Sequence, residues 1–174
     1  MAEGGTVPAR RIFPLPGYTP TIGRLVGMLT HARQTLLTAV DGLSREALDH
    51  LHDPRSNTIG ALLAHAVAVE RWYQVLTFDE REPSPKEAAA WSAALNLGEE
   101  GRRRLKGREL QSYVDELNGV RQVTLEALRA RDDAWLEGPL PVAPDLNAHW
   151  AWFHVAEDEI NHRGQIRWLR ARLP

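Results

Sequence analysis

Three residues spaced four apart, His154, Asp158 and His162, carry side chains suited to holding a divalent cation. On a helix turning about 100° per residue they form a row down one face. Glu159, Arg163, Arg167 and Arg170 define the opposite, charged face, read as the solvent side, with Glu159 and Arg163 spaced for an i,i+4 ion pair. The row of His154, Asp158, His162 and Gln165 is therefore expected to point inward. Burying such groups without partners costs several kcal/mol each. A metal ion would satisfy them, because imidazole and carboxylate are suitable ligands and a third ligand from another helix completes an open site.

The third ligand is found in the stretch NTIGALLAHAVAVERWYQVLTF, where an Asn57 cap is expected to open a helix running to about Phe78. His65 lies mid-way along its apolar face, among Thr58, Ala61, Leu62, Val69, Trp72 and Leu76. Glu70 and Gln74 mark the opposite side, and Leu63 and Val67 near it suggest a second packing surface such as a dimer contact. Two helices thus bring His65, Asp158 and His162 to one bundle interior, a metal-site arrangement. The competing structural account is a His–Asp–His hydrogen-bond network without metal. His154 is open between a fourth ligand, a partner behind the ligands and a pocket wall. Asn161 and Gln165 would orient ligands or substrate, or bond to a neighbouring helix. Trp72, Trp150, Trp152 and Trp168 are read as core and pocket lining. His31, His50, His52 and His149 have no comparable partners in sequence.

The elements positioning this set follow from periodicity. Residues 1–18, rich in Gly and Pro, are expected to form an arm, with Phe13, Leu15 and Tyr18 tacking part of it to the bundle domain of residues 19–174. A first helix is expected from Thr21 to about Val40, followed by a short turn capped by Ser44 that ends at Pro54. Ser84, Pro85 and Glu87 form a capping box with proline at the first helical position. Gly98, Gly101 and Gly107 loosen the chain before a third long helix from about Glu109 to Arg129. The segment GPLPVAP then resets its direction before Asn147 opens the last helix. No alternating strand pattern competes, so the expected fold is all-α: an antiparallel up-and-down four-helix bundle with short additional helices.

Composition narrows the function. The 174 residues suffice for one domain with a proper core, and 43% hydrophobic and 25% charged residues are ordinary for a soluble globular protein. No apolar run approaches the ~20 residues of a membrane span, and the cytoplasm is the default location. A net charge of -2 offers no general attraction to nucleic acid or anionic membrane. The basic run Arg102 to Arg104 follows Glu99 and Glu100 and is locally balanced. Cysteine is absent, so any thiol chemistry needs a thiol from outside.

The segments TIGALLAHAVAVERWYQVLTF and HVAEDEINHRGQI, above all the ending HRGQI, resemble the DinB-like (DinB/YfiT-like) metalloenzyme family over nearly the whole chain after the arm. The resemblance implies a four-helix bundle, often dimeric, holding nickel or zinc through three histidines. Two of them match His65 and His162; the third falls where this chain has Asp158. Relatives include transferases and isomerases using bacillithiol or mycothiol, and others whose expression follows DNA damage. The resemblance thus implies a metal-dependent thiol S-transferase, or a hydrolase, acting on a small electrophile, with a low-molecular-weight thiol as cosubstrate and His154 or Gln165 handling a proton or positioning the electrophile. The alternative is a non-enzymatic stress-response or scaffold dimer in which the buried set only fixes helix register.

Overall fold

The computed structural model describes residues 11–174. Four long helices, α1 (Pro20–Val40), α3 (Ile59–Thr77), α6 (Leu110–Arg129) and α8 (Ala148–Arg170), form the bundle. The short helices α2 (Arg45–Asp49), α4 (Pro85–Asn96), α5 (Gly98–Arg104) and α7 (Asp133–Glu137) connect them, with a two-stranded hairpin of β1 (Pro139–Leu140) and β2 (Ala143–Asn147) before α8. That hairpin is absent from the sequence expectation, because its strands are too short to show alternation.

Most helix starts are chemically marked. Ser44, Ser84 and Asn147 accept from the backbone of Ala47, Glu87 and Trp150, and the Ser84/Glu87 capping box forms as expected. The cap of α3 is Thr58 rather than Asn57; Thr58 Oγ1 accepts from Ala61 N at 3.1 Å, while Asn57 Oδ1 accepts from Gly98 N at 3.1 Å. The N-terminus of α1 is capped from a distance. Its Thr19 makes no side-chain cap, but Asp133 of α7 accepts from the Thr19 hydroxyl, the backbone N–H groups of Thr21 and Ile22, and Thr21 Oγ1 at 2.9 Å. Despite some burial, these bonds hold its carboxyl down at about 2. Of the arm, Leu15 and Tyr18 pack on the core as expected, whereas Phe13 is 43% exposed. Residues 1–10 lie outside the described residues.

α1 packs on α8 and α6, and α3 packs on α6 and α8, which closes a ring of four. Arg33 meets Glu159 and Ala39 meets Arg170, so α1 and α8 run in the same sense. Glu70 meets Arg121 and Gln74 meets Thr124, so α3 and α6 also run together. Leu29 pairs with Arg121 and Arg33 with the Leu117 carbonyl, so α1 and α6 are opposed. The order is therefore up, down, down, up rather than strictly alternating, because α4 and α5 carry the chain back before α6 begins.

Two apolar clusters fill the bundle, one including Leu36, Leu63, Tyr113 and Ile166, the other Ile22, Leu29, Leu128 and Trp152. Between them lies a layer of four buried charges, one from each long helix. Arg33 reaches Glu70 at 2.8 Å and Glu159 at 2.6 Å; Arg121 reaches the same carboxylates at 2.7 and 2.8 Å. The interior corrects three expectations. Glu70 and Glu159 are 0% and 1% exposed, not on solvent faces. Glu159 makes no pair with Arg163, which donates instead to Thr35 Oγ1. Leu63 and Val67, at 0% and 3%, are covered within the chain, so they offer no dimer surface. For the carboxylates the physical reason is that two arginines supply enough donors to make them tolerable inside; Leu63 and Val67 are covered because they belong to an apolar core cluster. Burial still raises the pKa of Glu159, whose Oε2 has no donor. It would raise that of Glu70 too, but Arg121 and Arg33 overcome it and hold Glu70 down.

Candidate metal centre

The antiparallel pair α3 and α8 brings His65, Asp158 and His162 together. One donor atom from each lies within 4.8 Å of the others. Asp158 Oδ1 is 3.2 Å from His162 Nε2 and 3.5 Å from His65 Nε2. The side chains are 10 to 14% exposed, so the set is sheltered but open on one side.

The local fold orients His65. Its Nδ1 donates at 2.8 Å to the carbonyl of Ala94. Ala94 lies in the last turn of α4, where helix carbonyls lack intrahelical partners, so one bond satisfies the helix end and fixes the ring. With Nδ1 as donor, Nε2 carries the lone pair that a metal needs, and a histidine ligand held by a backbone carbonyl is a common arrangement. Burial disfavours charge on His65, but Asp158 outweighs it and the pKa is raised. Burial likewise opposes ionisation of Asp158, yet His162 and His65 hold its carboxyl below the usual range.

These residues fit a divalent cation. Two ligands about 2.0–2.1 Å from a tetrahedral ion stand roughly 3.3 Å apart, close to the 3.2 and 3.5 Å separations from Asp158, while the wider pair of histidine nitrogens, within 4.8 Å, would draw together on an ion. Among the described residues Asp158 Oδ2 and His162 Nδ1 are buried without hydrogen-bond partners, so the hydrogen-bond network alone does not satisfy the set. Two imidazoles and one carboxylate suit a divalent ion with an open position.

The other sequence candidates separate along the α3/α8 seam. His154 stands outside the donor set. Its Nδ1 lies 3.1 Å from Glu157, its ring stacks on Trp150 at 5.0 Å, and with Val69, Trp72, Tyr73 and Leu95 it walls a small pocket of about 190 Å³. Burial, then the charge of Asp158, pushes the Tyr73 phenol up to about 12. At the other end Gln165 is exposed and lines a cleft of about 480 Å³ with Arg55, Ser56, Asn57 and Trp168. Asn161 is exposed. Trp152 is core, stacked on Phe78 at 4.9 Å, whereas Trp150 and Trp168 are 45% and 46% exposed. Tyr73 escaped the sequence reading, although it follows Trp72 at the edge of the apolar face that singled out His65.

Fold and site together define a helical-bundle protein of the DinB/YfiT-like kind with a sheltered His/Asp/His donor set. The chain belongs to the Mycothiol-S-transferase family, whose profile matches residues 24–174. A crystal structure described as the conserved protein of locus from Enterococcus faecalis is similar in fold, with a TM-score of 0.65 and 14% identity, covering 84% of this chain and 92% of that one. No curated protein matches. Among the described residues no helix is long and apolar enough to cross a membrane.

Proposed function

We propose that this member of the mycothiol S-transferase family joins the sulfur of mycothiol to a small electrophile, with His65, Asp158 and His162 holding a divalent cation, nickel or zinc. The observation that carries the reading is the donor set itself, with two imidazole nitrogens and a carboxylate oxygen within 4.8 Å of one another at 10 to 14% exposure. A cation held there supplies Lewis acidity, which favours the thiolate of the cosubstrate over its thiol near neutral pH.

The chain's own residues do the rest. The Ala94 carbonyl keeps His65 in the tautomer that leaves Nε2 free. Asp158 lends the site negative charge and balances the cation. The pocket of Val69, Trp72, Tyr73 and Leu95 receives the apolar part of the electrophile and excludes water from it. Tyr73 keeps its proton at neutral pH and can donate to charge developing on the electrophile, while His154 forms the adjoining wall and can pass a proton to solvent.

The scaffold reading, with the polar set fixing helix register, loses its motive here. That role is already filled by Arg33, Glu70, Arg121 and Glu159, which tie all four long helices. The test is thiol conjugation by tag-free protein loaded with zinc or nickel, using mycothiol and a small alkylating electrophile, followed by mass spectrometry. Wild type should form the thioether and His162→Ala should not. Equal rates for the two proteins remove the proposal, and no product from wild type with any thiol restores the scaffold reading.

A further inference from the structure

The α3/α8 seam holds two unlike cavities, with the donor set between them. On α3 the residues run from Asn57 through His65 to Val69, Trp72 and Tyr73; on α8 they run the opposite way, from Trp168 and Gln165 through His162 and Asp158 to His154. The pocket beyond His154 is small and aromatic. The cleft beyond His162 is larger and mixed in character, with the polar groups of Arg55, Ser56, Asn57 and Gln165 set beside the apolar surfaces of Trp168 and Leu169, and no acidic residue lines it.

That larger cleft is equipped for an uncharged, hydroxyl-rich ligand. Asn57 Oδ1 is held by Gly98 N, which fixes the amide and leaves Nδ2 to donate. Gln165 is exposed and makes no side-chain hydrogen bond among the described residues, so both of its amide functions are available. Trp168 is steadied by Arg172, whose guanidinium lies 3.9 Å over the ring, and by a T-shaped contact with His52 at 4.8 Å, yet the indole remains 46% exposed. A fixed indole beside amides and a hydroxyl supplies an apolar platform for the C–H face of a sugar and hydrogen bonds for its rim.

Size and reach agree. About 480 Å³ is within the usual range of roughly 300–1,000 Å³ for a ligand pocket, whereas the aromatic pocket at about 190 Å³ holds only a small group. Along α8, Gln165 and Trp168 lie three and six residues past His162, roughly 4.5 and 9 Å at 1.5 Å per residue. A single cysteinyl residue, roughly 3.5 Å of backbone plus its side chain, bridges that separation.

Resting on the transferase reading above, we infer that the cleft of Arg55, Ser56, Asn57, Gln165 and Trp168 binds the glucosaminyl-inositol portion of mycothiol, while the aromatic pocket takes the electrophile. The cleft therefore sets thiol selectivity, favouring a cysteinyl thiol with a sugar attached over one without.

The test uses the metal-loaded full chain and two readouts. In the first, the thiol-free, uncharged pseudodisaccharide N-acetylglucosaminyl-inositol is titrated and followed by NMR of the indole and side-chain amide N–H groups. Saturable shifts at Trp168 and Gln165, weakened about tenfold or more by Trp168→Ala, support the inference; shifts confined to Trp72 and Trp150, or binding unaltered in Trp168→Ala, overturn it. Stronger binding of inorganic phosphate than of the pseudodisaccharide also overturns it, by showing an anion site on Arg55. In the second, the ratio of kcat/KM for mycothiol to that for N-acetylcysteine should fall about tenfold in Trp168→Ala, through KM for mycothiol; Gln165→Leu should lower the ratio in the same direction. An unchanged ratio in both variants overturns the cleft assignment and leaves the transferase reading standing. Pseudodisaccharide binding at Trp168 in a protein that conjugates no thiol has the opposite meaning, sparing the cleft and removing the transferase.

Discussion

Replacing Glu70 by leucine removes one of two carboxylates from a buried layer that contains two arginines. In the wild type Glu70 accepts from Arg33 at 2.8 Å, from Arg121 at 2.7 and 3.2 Å, and from the Thr124 hydroxyl at 2.6 Å. Glu159 alone then faces both guanidinium groups, and one positive charge is left uncompensated where exposure is 5% or less. Breaking a buried pair from one side costs about 3–5 kcal/mol, a large part of an ordinary folding stability of about 5–15 kcal/mol. At about 2–4 °C per kcal/mol for a chain this size, the melting temperature of Glu70→Leu should drop by about 6–20 °C in thermal unfolding followed by circular dichroism. A combined variant, Arg33→Met, Glu70→Leu, Arg121→Met and Glu159→Leu, should recover most of the loss, because apolar packing often equals or exceeds such a network in stability. A melting temperature for Glu70→Leu within about 2 °C of wild type would refute the reasoning.

Two predictions concern pH. The Asp133 carboxyl is held down at about 2, so its contribution to stability is present above the ordinary carboxylate range and is lost as pH falls from there towards about 2; Asp133→Asn should lower stability at neutral pH and flatten that acid limb, measured by urea unfolding at several pH values. In metal-free protein the lowered Asp158 contributes above its unfolded pKa and loses that contribution on acidification, while the raised His65 contributes below its unfolded pKa and loses it as pH rises. The stability difference between wild type and Asp158→Asn in chelator should therefore peak between about pH 4 and 6.5, and a difference that grows steadily above pH 7 would contradict it.

Most of what positions the site is legible in the sequence, because the signals are local. Ser44, the Ser84/Glu87 box and Asn147 mark helix starts through bonds to residues three positions on, and the apolar repeat around His65 places it inward. The buried layer is not legible locally, because charge in a single helix reads as a mark of the surface. A register argument would have found it: Arg33 stands at the apolar spacing between Leu29 and Leu36, Arg121 between Leu117 and Leu128, and Glu159 between Val155 and Ile166. Each looks like an error on its own helix, and only the assembled bundle pairs them. Helix direction was hidden for a related reason, since it depends on how far α4 and α5 carry the chain rather than on any local pattern. Trp168 and Arg55 are far apart in sequence and meet only at the cleft.

The central claim, that His65, Asp158 and His162 form one metal site, is tested most directly by calorimetric titration of tag-free, chelator-stripped protein with zinc and with nickel. One ion should bind per wild-type chain, with binding lost in each of His65→Ala, Asp158→Ala and His162→Ala while the helical circular dichroism spectrum is retained. Absence of binding in wild type, or binding undiminished in all three folded variants, would contradict it.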